Sequence, residues 1–179
     1  MNKTVEDWMS DYQHGNKDAL ESLYQLYKEP LYSFIYRYTR DEPFSVDVVQ
    51  DTFVRLQLNK MQYDPERGTL KAYLFQIAYR IMITKLNRRK KWQSLLPFLT
   101  PQPADSFSQE DKMSVQEAVS KLPATHRAVI LLSYYHDLPH AEISSILNLP
   151  IGTVKSRLHT AIQLLKKDLE VKSNEEKPL

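Results

Sequence analysis

The chain has no cysteine. Disulfides, thiolate nucleophiles and cysteine-based zinc sites are therefore excluded, and the composition suits the cytoplasm. Glycine is almost as scarce, at 3 residues in 179, and no phosphate loop, nucleophile elbow or zinc motif is present. No run of about 18 apolar residues is available to cross a bilayer. The N-terminal MNKTVEDWMSDYQHGNKD has no apolar core of the signal-peptide kind. Period-two apolar runs bounded by hairpin turns are missing too, so strands are not expected. Nor is there a large charge of one sign, since the formal net charge is only +2. No cofactor and no enzymatic activity are expected from this inventory.

What the chain does have is material for helical cores. Apolar residues make up 42% of it, and Leu, Lys, Glu, Gln and Ala recur, which favours helices. Its charges are unevenly placed. KLNRRKKW (85–92) is basic without a compensating acid, whereas ADSFSQEDK (104–112) is acid-rich. Such asymmetry points to nucleic acid on one face and protein partners on others.

Periodicity divides the chain into two helical blocks. From Asp18 to about Tyr38, Leu20, Leu23, Tyr24, Tyr27, Leu31, Phe34, Ile35 and Tyr38 trace one stripe, with Asn16 as its cap and Pro30 as a kink or break. Tyr32 and Tyr36 join the tyrosines of this segment as core or boundary residues. DEPF (41–44) reads as a turn. A helix from about Ser45 to Leu58 buries Val49, Phe53 and Leu56. MQYDPERGT (61–69) is a loop, and a long, partly basic helix follows from Leu70 to about Lys91, with Leu74, Ile77, Ala78, Ile81 and Leu86 inward.

Residues 93–112 break every periodicity, with Pro97, Pro101 and Pro103 among them. They read as a linker in which Leu95, Leu96, Phe98 and Leu99 make either a docking segment or a partly buried extension of the first block. The second block, 113–179, starts with a helix holding Val115, Ala118, Val119 and Leu122 inward. ATHRAVILLSYYHD is a central core helix, and PHAEISSILN is a short one with Ile143, Ile146 and Leu147 inward. His136 and His140 in HDLPH have a metal-like spacing, but Pro139 between them favours a turn with surface histidines.

The last helix, in LNLPIGTVKSRLHTAIQLLKK (147–167), buries Val154, Leu158, Ile162 and Leu165. Its opposite face shows Lys155, Ser156 and His159. Preceded by a short helix and a tight connection, it completes a helix-turn-helix, whose second helix fits the major groove. Lys155 then reaches guanine or phosphate, Ser156 and His159 share its side, Thr153 and Arg157 suit phosphates, and the N-terminus behind Gly152 favours an anion. The pattern alone leaves a second reading open, in which this face meets only water.

Taken in order, the segments resemble bacterial RNA polymerase sigma factors of the extracytoplasmic-function subfamily of the sigma-70 family. LESLYQLYKEPLYSFIYRYT resembles its first conserved helix. VDVVQDTFVRL resembles the segment that docks on polymerase, GTLKAYLFQIAYRIMITKLNRRKK the one that melts promoter DNA, and LPHAEISSILNLPIGTVKSRLHTA the helix-turn-helix that reads the upstream element. The likeness runs from about residue 18 to 168.

The resemblance implies an all-α chain of two small helical domains: 1–92 for docking and melting, a flexible linker at 93–112, and a helix-turn-helix domain at 113–179. It places Asp47, Gln50, Asp51, Phe53 and Arg55 in the docking segment, with Phe53 buried. It places Tyr63, Tyr73, Tyr79, Arg80, Lys85, Arg88 and Arg89 against the −10 strand, and Thr153, Lys155, Ser156, Arg157 and His159 against the −35 element. The implied partners are core RNA polymerase (the clamp coiled coil of its largest subunit, and its flap), promoter DNA, and an anti-sigma protein, free or membrane-anchored. Arg80, Thr84, Val46 and Thr160 depart from residues frequent in the family, so no promoter sequence is implied. The rival readings are a helix-turn-helix regulator that recruits polymerase from outside, which predicts a receiver-type N-terminal domain with a parallel sheet, and a helical adaptor or anti-sigma protein without DNA contact.

Overall fold

A computed structural model describes residues 3–95 and 115–175. The described residues are helical, with no strand among them. A helix not anticipated from the sequence opens the fold: α1, Val5–Gln13. Thr4 caps it reciprocally, because its hydroxyl accepts from the Asp7 N–H at 3.2 Å while the Asp7 carboxylate accepts from the Thr4 N–H at 2.8 Å. Met9 and Tyr12 are its buried contribution.

Helix α2, Asp18–Thr39, runs unbroken through Pro30. The N-cap position is Lys17, not the expected Asn16, whose side-chain oxygen one residue earlier takes the Asp18 N–H at 3.0 Å. Arg40 ends the helix in the left-handed region at φ 57°. Asp41 then caps α3, Glu42–Leu58, by accepting from the Phe44 N–H at 3.0 Å. DEPF is therefore a helix start and not a turn: an acidic cap and a proline in the first turn are helix-initiating signals. Two single 3-10 turns, Lys60–Gln62 and Pro65–Arg67, form the loop that leads into α4, Leu70–Leu95. Phe34, Phe75, Leu31, Leu56, Leu70 and Leu74 fill the centre of this bundle with less than 2% exposure. Each such side chain contributes about 1.5–3 kcal/mol through lost contact with water. Ser45 and Thr52, buried among them, satisfy their hydroxyls on the carbonyls one turn back, Asp41 at 2.6 Å and Val48 at 2.7 Å.

The predicted linker residues 96–112, with Leu96, Phe98 and Leu99, lie outside the described residues. Beyond them come α5, Val115–Lys121, and α6, Ala124–Ile130, which continues into a wider π-type turn at Leu131–Tyr135. Then follow α7, His140–Leu147, and α8, Ile151–Glu175. Ala118, Val119 and Leu122 are buried as expected, but Val115 is 53% exposed, since it opens α5 away from the core.

His136 is a larger correction. Expected on the surface, it is 7% exposed. Its ring lies 4.8 Å from that of Phe75 and, edge-on, 5.8 Å from that of Phe34. The wider turn before it carries the chain inward, so His136 fills space between α2 and α4. Burial, first, and the nearby Lys71 and Arg37 charges pull its pKa down to about 4, so the ring is neutral at pH 7. Among the described residues no group of three or more His, Asp or Glu could hold a metal ion.

These contacts join the two helical groups into one apolar cluster. Polar contacts follow the same seam. Gln76 donates to the Ser145 carbonyl at 2.7 Å, Thr69 to the Glu142 carboxylate at 2.7 Å, and Lys71 to the His136 carbonyl. Arg127 donates to the Tyr38 carbonyl at 2.8 Å, and the Arg37 guanidinium sits 4.3 Å over the Tyr135 ring.

Candidate nucleic-acid and polymerase interfaces

The helix-turn-helix is built by its connection. Asn148 closes α7 in the left-handed region at φ 53°, where asparagine is among the better-tolerated residues. Its N–H and that of Leu149 both go to the Ser144 carbonyl, and the Ser144 hydroxyl donates to the Leu149 carbonyl. The Pro150 carbonyl then receives the Thr153 and Val154 N–H groups at 2.9 and 3.1 Å, starting α8. Val154 and Ala161 are fully buried and fix the helix to its scaffold. Lys155, Ser156 and His159 are exposed together on the other side, while Thr153 and Arg157 are half-buried at its margin. Ser156 returns its hydroxyl to the Thr153 carbonyl at 3.1 Å.

In the first bundle, α3 turns Asp47, Gln50 and Arg55 outward, with Asp51 half-exposed and Phe53 at 6% exposure inside. The Phe53 ring meets Tyr24 edge-on at 4.9 Å, a packing role. Between α3 and α4 lies an open groove of about 710 Å³, with Val54, Leu58, Ile77, Ile81, Arg80 and Arg88 among its walls.

Lys85 joins the two faces. It pairs with Asp51 at 2.7 Å and with Asp47. Burial opposes its charge, but the two carboxylates outweigh this and raise its pKa. Arg89 likewise pairs with Asp41 at 2.8 Å, yet it stays exposed, as Arg80 and Arg88 are.

The loop before α4 holds a smaller pocket of about 290 Å³, walled by Tyr63, Arg67, Gly68, Tyr73, Gln76 and, from α7, Ser145. The Tyr63 and Tyr73 rings stand 5.5 Å apart. Tyr63 is itself 7% exposed, Tyr73 and Tyr79 half-buried, and burial raises all three phenol pKa values. Gly68, at φ 143°, lets the loop re-enter α4 in a conformation closed to side-chain-bearing residues. Gln13 of α1 holds this loop from beneath, donating to the Lys60 and Tyr63 carbonyls at 2.9 and 3.0 Å. The sequence reading missed Gln13, although the Thr4–Asp7 cap spacing was a usable signal for its helix.

Comparison with known proteins assigns both halves. Residues 23–92 match the family model for sigma-70 region 2, and residues 112–165 match that for sigma-70 region 4. The ECF RNA polymerase sigma factor SigL of Mycobacterium tuberculosis is 31% identical over 158 residues, 84% of this chain and 89% of that protein. The chain belongs to the extracytoplasmic-function family of RNA polymerase sigma factors. SigW of Bacillus subtilis is 28% identical to this sigma factor over 94% of the chain and 98% of its own length. The fold agrees. RpoE of Bartonella quintana, solved with the anti-sigma factor NepR, superposes with a TM-score of 0.71 at 22% identity, covering 84% of this chain and 96% of that one. CnrH, solved with the cytosolic domain of CnrY, gives 0.70 at 24% identity over 92% and 96%.

Among the described residues no helix is long and apolar enough to cross a membrane. A receiver-type sheet, the mark of the rival regulator, is not found among them either.

Proposed function

We propose that this sigma factor docks on core RNA polymerase through Asp47, Gln50, Asp51 and Arg55, with Phe53 holding α3 in shape beneath them. The clamp coiled coil of the largest subunit receives this face, and the flap receives the second domain. Lys155, Ser156 and His159 then read the −35 element in the major groove, while Thr153 and Arg157 meet its phosphates. Tyr63, Tyr73 and Tyr79 take the unstacked −10 strand, and Arg80, Lys85, Arg88 and Arg89 its backbone. Melting costs a few kcal/mol per flipped base, which aromatic stacking at about 1–3 kcal/mol per base and cationic contacts offset. The chain breaks no bond; its chemistry is binding. It acts in the cytoplasm, with domain limits at 1–92 and 113–179, and an anti-sigma protein competes with polymerase for these faces.

The observation that carries this reading is the exposure of Lys155, Ser156 and His159 on a helix anchored by Val154 and Ala161. The test mixes the purified chain with sigma-free core polymerase and a library of duplex promoters. Promoter-dependent transcripts are expected; their absence on every library member sinks the reading.

A further inference from the structure

We infer that α1 belongs to the −10 site: its last residue, Gln13, is a positioning residue that fixes the loop carrying Tyr63 and thereby sets which base the loop pocket accepts. The inference rests on the capture of the −10 strand proposed above. It goes beyond that reading by adding a helix that lies wholly before residues 23–92, the stretch that matches sigma-70 region 2.

The loop has little to hold its shape from within. Its own hydrogen bonds are short-range: the Gln62 N–H to the Asn59 carbonyl at 2.9 Å, the Arg67 N–H to that of Asp64 at 3.1 Å, and the Tyr63 hydroxyl to that of Gly68 at 3.4 Å. Single 3-10 turns have poor hydrogen-bond geometry and do not propagate. The first turn, Lys60–Gln62, is pinned at both ends from α1. The Gln13 amide gives one hydrogen to the Lys60 carbonyl and the other to the Tyr63 carbonyl, at 2.9 and 3.0 Å. Lys60 answers from the loop side, its ammonium donating to the Tyr12 carbonyl at 3.0 Å and lying 5.1 Å over the Tyr12 ring. The support is firm, because Met9 and Tyr12 bury the inner face of α1 and the Thr4–Asp7 cap closes its start.

A glutamine suits this place. Two carbonyl oxygens need two N–H donors, and a primary amide carries both on one nitrogen. Asparagine is a methylene short, and a glutamate carboxylate would face two carbonyl oxygens with no proton to offer. Tyr63 links the bond to the pocket: Gln13 holds its carbonyl, and its ring is the wall that stands 5.5 Å from Tyr73. Purines exceed pyrimidines by a fused ring, so the position of that wall decides which bases fit a pocket of about 290 Å³. A displacement of about 0.5 Å is enough to loosen a site of this kind.

The test uses the full chain with core polymerase, on promoters that carry each of the four bases in turn across the −10 element. The parent is expected to prefer one base at the captured position. Gln13→Ala and Gln13→Asn are expected to lower that preference roughly tenfold, read as the ratio of initiation rates on the best and next-best base, with preference across the −35 element unchanged. Gln13→Glu lowers it further, and Lys60→Met, acting from the loop side, lowers it in the same direction. Asp11→Ala removes the exposed ion pair with Lys3 and leaves both preferences at parent values. A role in folding alone lowers initiation on every promoter by one factor and leaves the ratio intact. That result, or an Asp11→Ala variant as relaxed as Gln13→Ala, overturns the inference. A parent without preference at any −10 position sinks the capture reading itself. Hydrogen exchange then decides the bracing alone, which stands if Gln13→Ala speeds exchange in residues 60–63 roughly tenfold and falls if it does not.

Discussion

Lowering pH is expected to loosen the seam through His136, and the size of the effect follows from its surroundings. The imidazole lies between Phe34 of α2 and Phe75 of α4, with Lys71 of α4, Arg37 of α2 and Asp137 of its own loop as the charges facing it. Burial, Lys71 and Arg37 disfavour the imidazolium, Asp137 favours it, and the balance brings the pKa from 6.5 to about 4. A depressed pKa means that the folded chain binds fewer protons than the unfolded one. Stability is therefore fully present above pH 6.5 and is lost as pH falls towards 4. A shift of this size corresponds to about 3 kcal/mol in all, of which about 2 kcal/mol is gone by pH 5. Denaturant unfolding from pH 7.5 to 5, comparing the parent with His136→Gln, isolates the contribution, because glutamine does not titrate. The parent should lose about 2 kcal/mol more than the variant across that window. Equal pH slopes in parent and variant, or an NMR titration that puts His136 at pH 6 or above, would refute the reasoning.

Lys155→Ala should weaken binding to a duplex upstream element by about 1–3 kcal/mol, read by fluorescence anisotropy of holoenzyme, and leave core binding unchanged. Asp51→Ala should slow holoenzyme assembly several-fold, with the salt dependence of the on-rate reduced, while leaving the isolated chain's affinity for DNA intact. Gln13→Ala removes both donors that hold the loop carbonyls of Lys60 and Tyr63. Hydrogen exchange in residues 60–69 should accelerate, by an amount equivalent to about 1–3 kcal/mol, and binding of a single-stranded −10 oligonucleotide should fall while upstream-element binding holds.

Most of the helices were legible in the sequence because each buries a stripe at helical spacing, such as Leu74, Ile77 and Ala78; in α8 Val154 is buried as expected, but Leu158, Ile162 and Leu165 are only half-buried and Ala161, not anticipated, is fully buried. Phe53 could be read as buried for the same reason. The start of α3 was misread because proline in DEPF signals both turns and first helical turns, and only the Asp41 cap distinguishes them. His136 was misread for a different reason. Local pattern places a histidine beside Asp137 and Pro139 at the surface, and nothing local reveals that Phe34 and Phe75, far away in sequence, close over it. The seam between the two domains was illegible for the same cause, since its bonds link residues more than 60 positions apart, such as Gln76 with Ser145. Periodicity reports which face is buried, but not against what.

Lys85 shows how assigning residues to separate surfaces conceals a physical link. The resemblance sets Lys85 among DNA contacts and Asp47 and Asp51 among polymerase contacts, yet the structure pairs them. The pairs are partly exposed, with side-chain accessibilities of 28% for Lys85 and 44% for Asp51, so they stabilise the fold by no more than about 1 kcal/mol each. Weak pairs of this kind are readily exchanged for others. On the docking proposed above, a polymerase cation that takes up Asp47 and Asp51 withdraws the counter-charges of Lys85. Its ammonium, on the half-buried side of α4 near the exposed Arg88, is then unneutralised and turns to the nearest remaining anion. With promoter DNA in the groove, that anion is a backbone phosphate. Isolated, the chain holds this charge against its own carboxylates; on the proposed docking, the same side chain would be freed to add to the attraction for DNA. On the proposed roles, docking and strand capture would share one lysine, and a small free-energy change at the first surface would be enough to redirect it to the second.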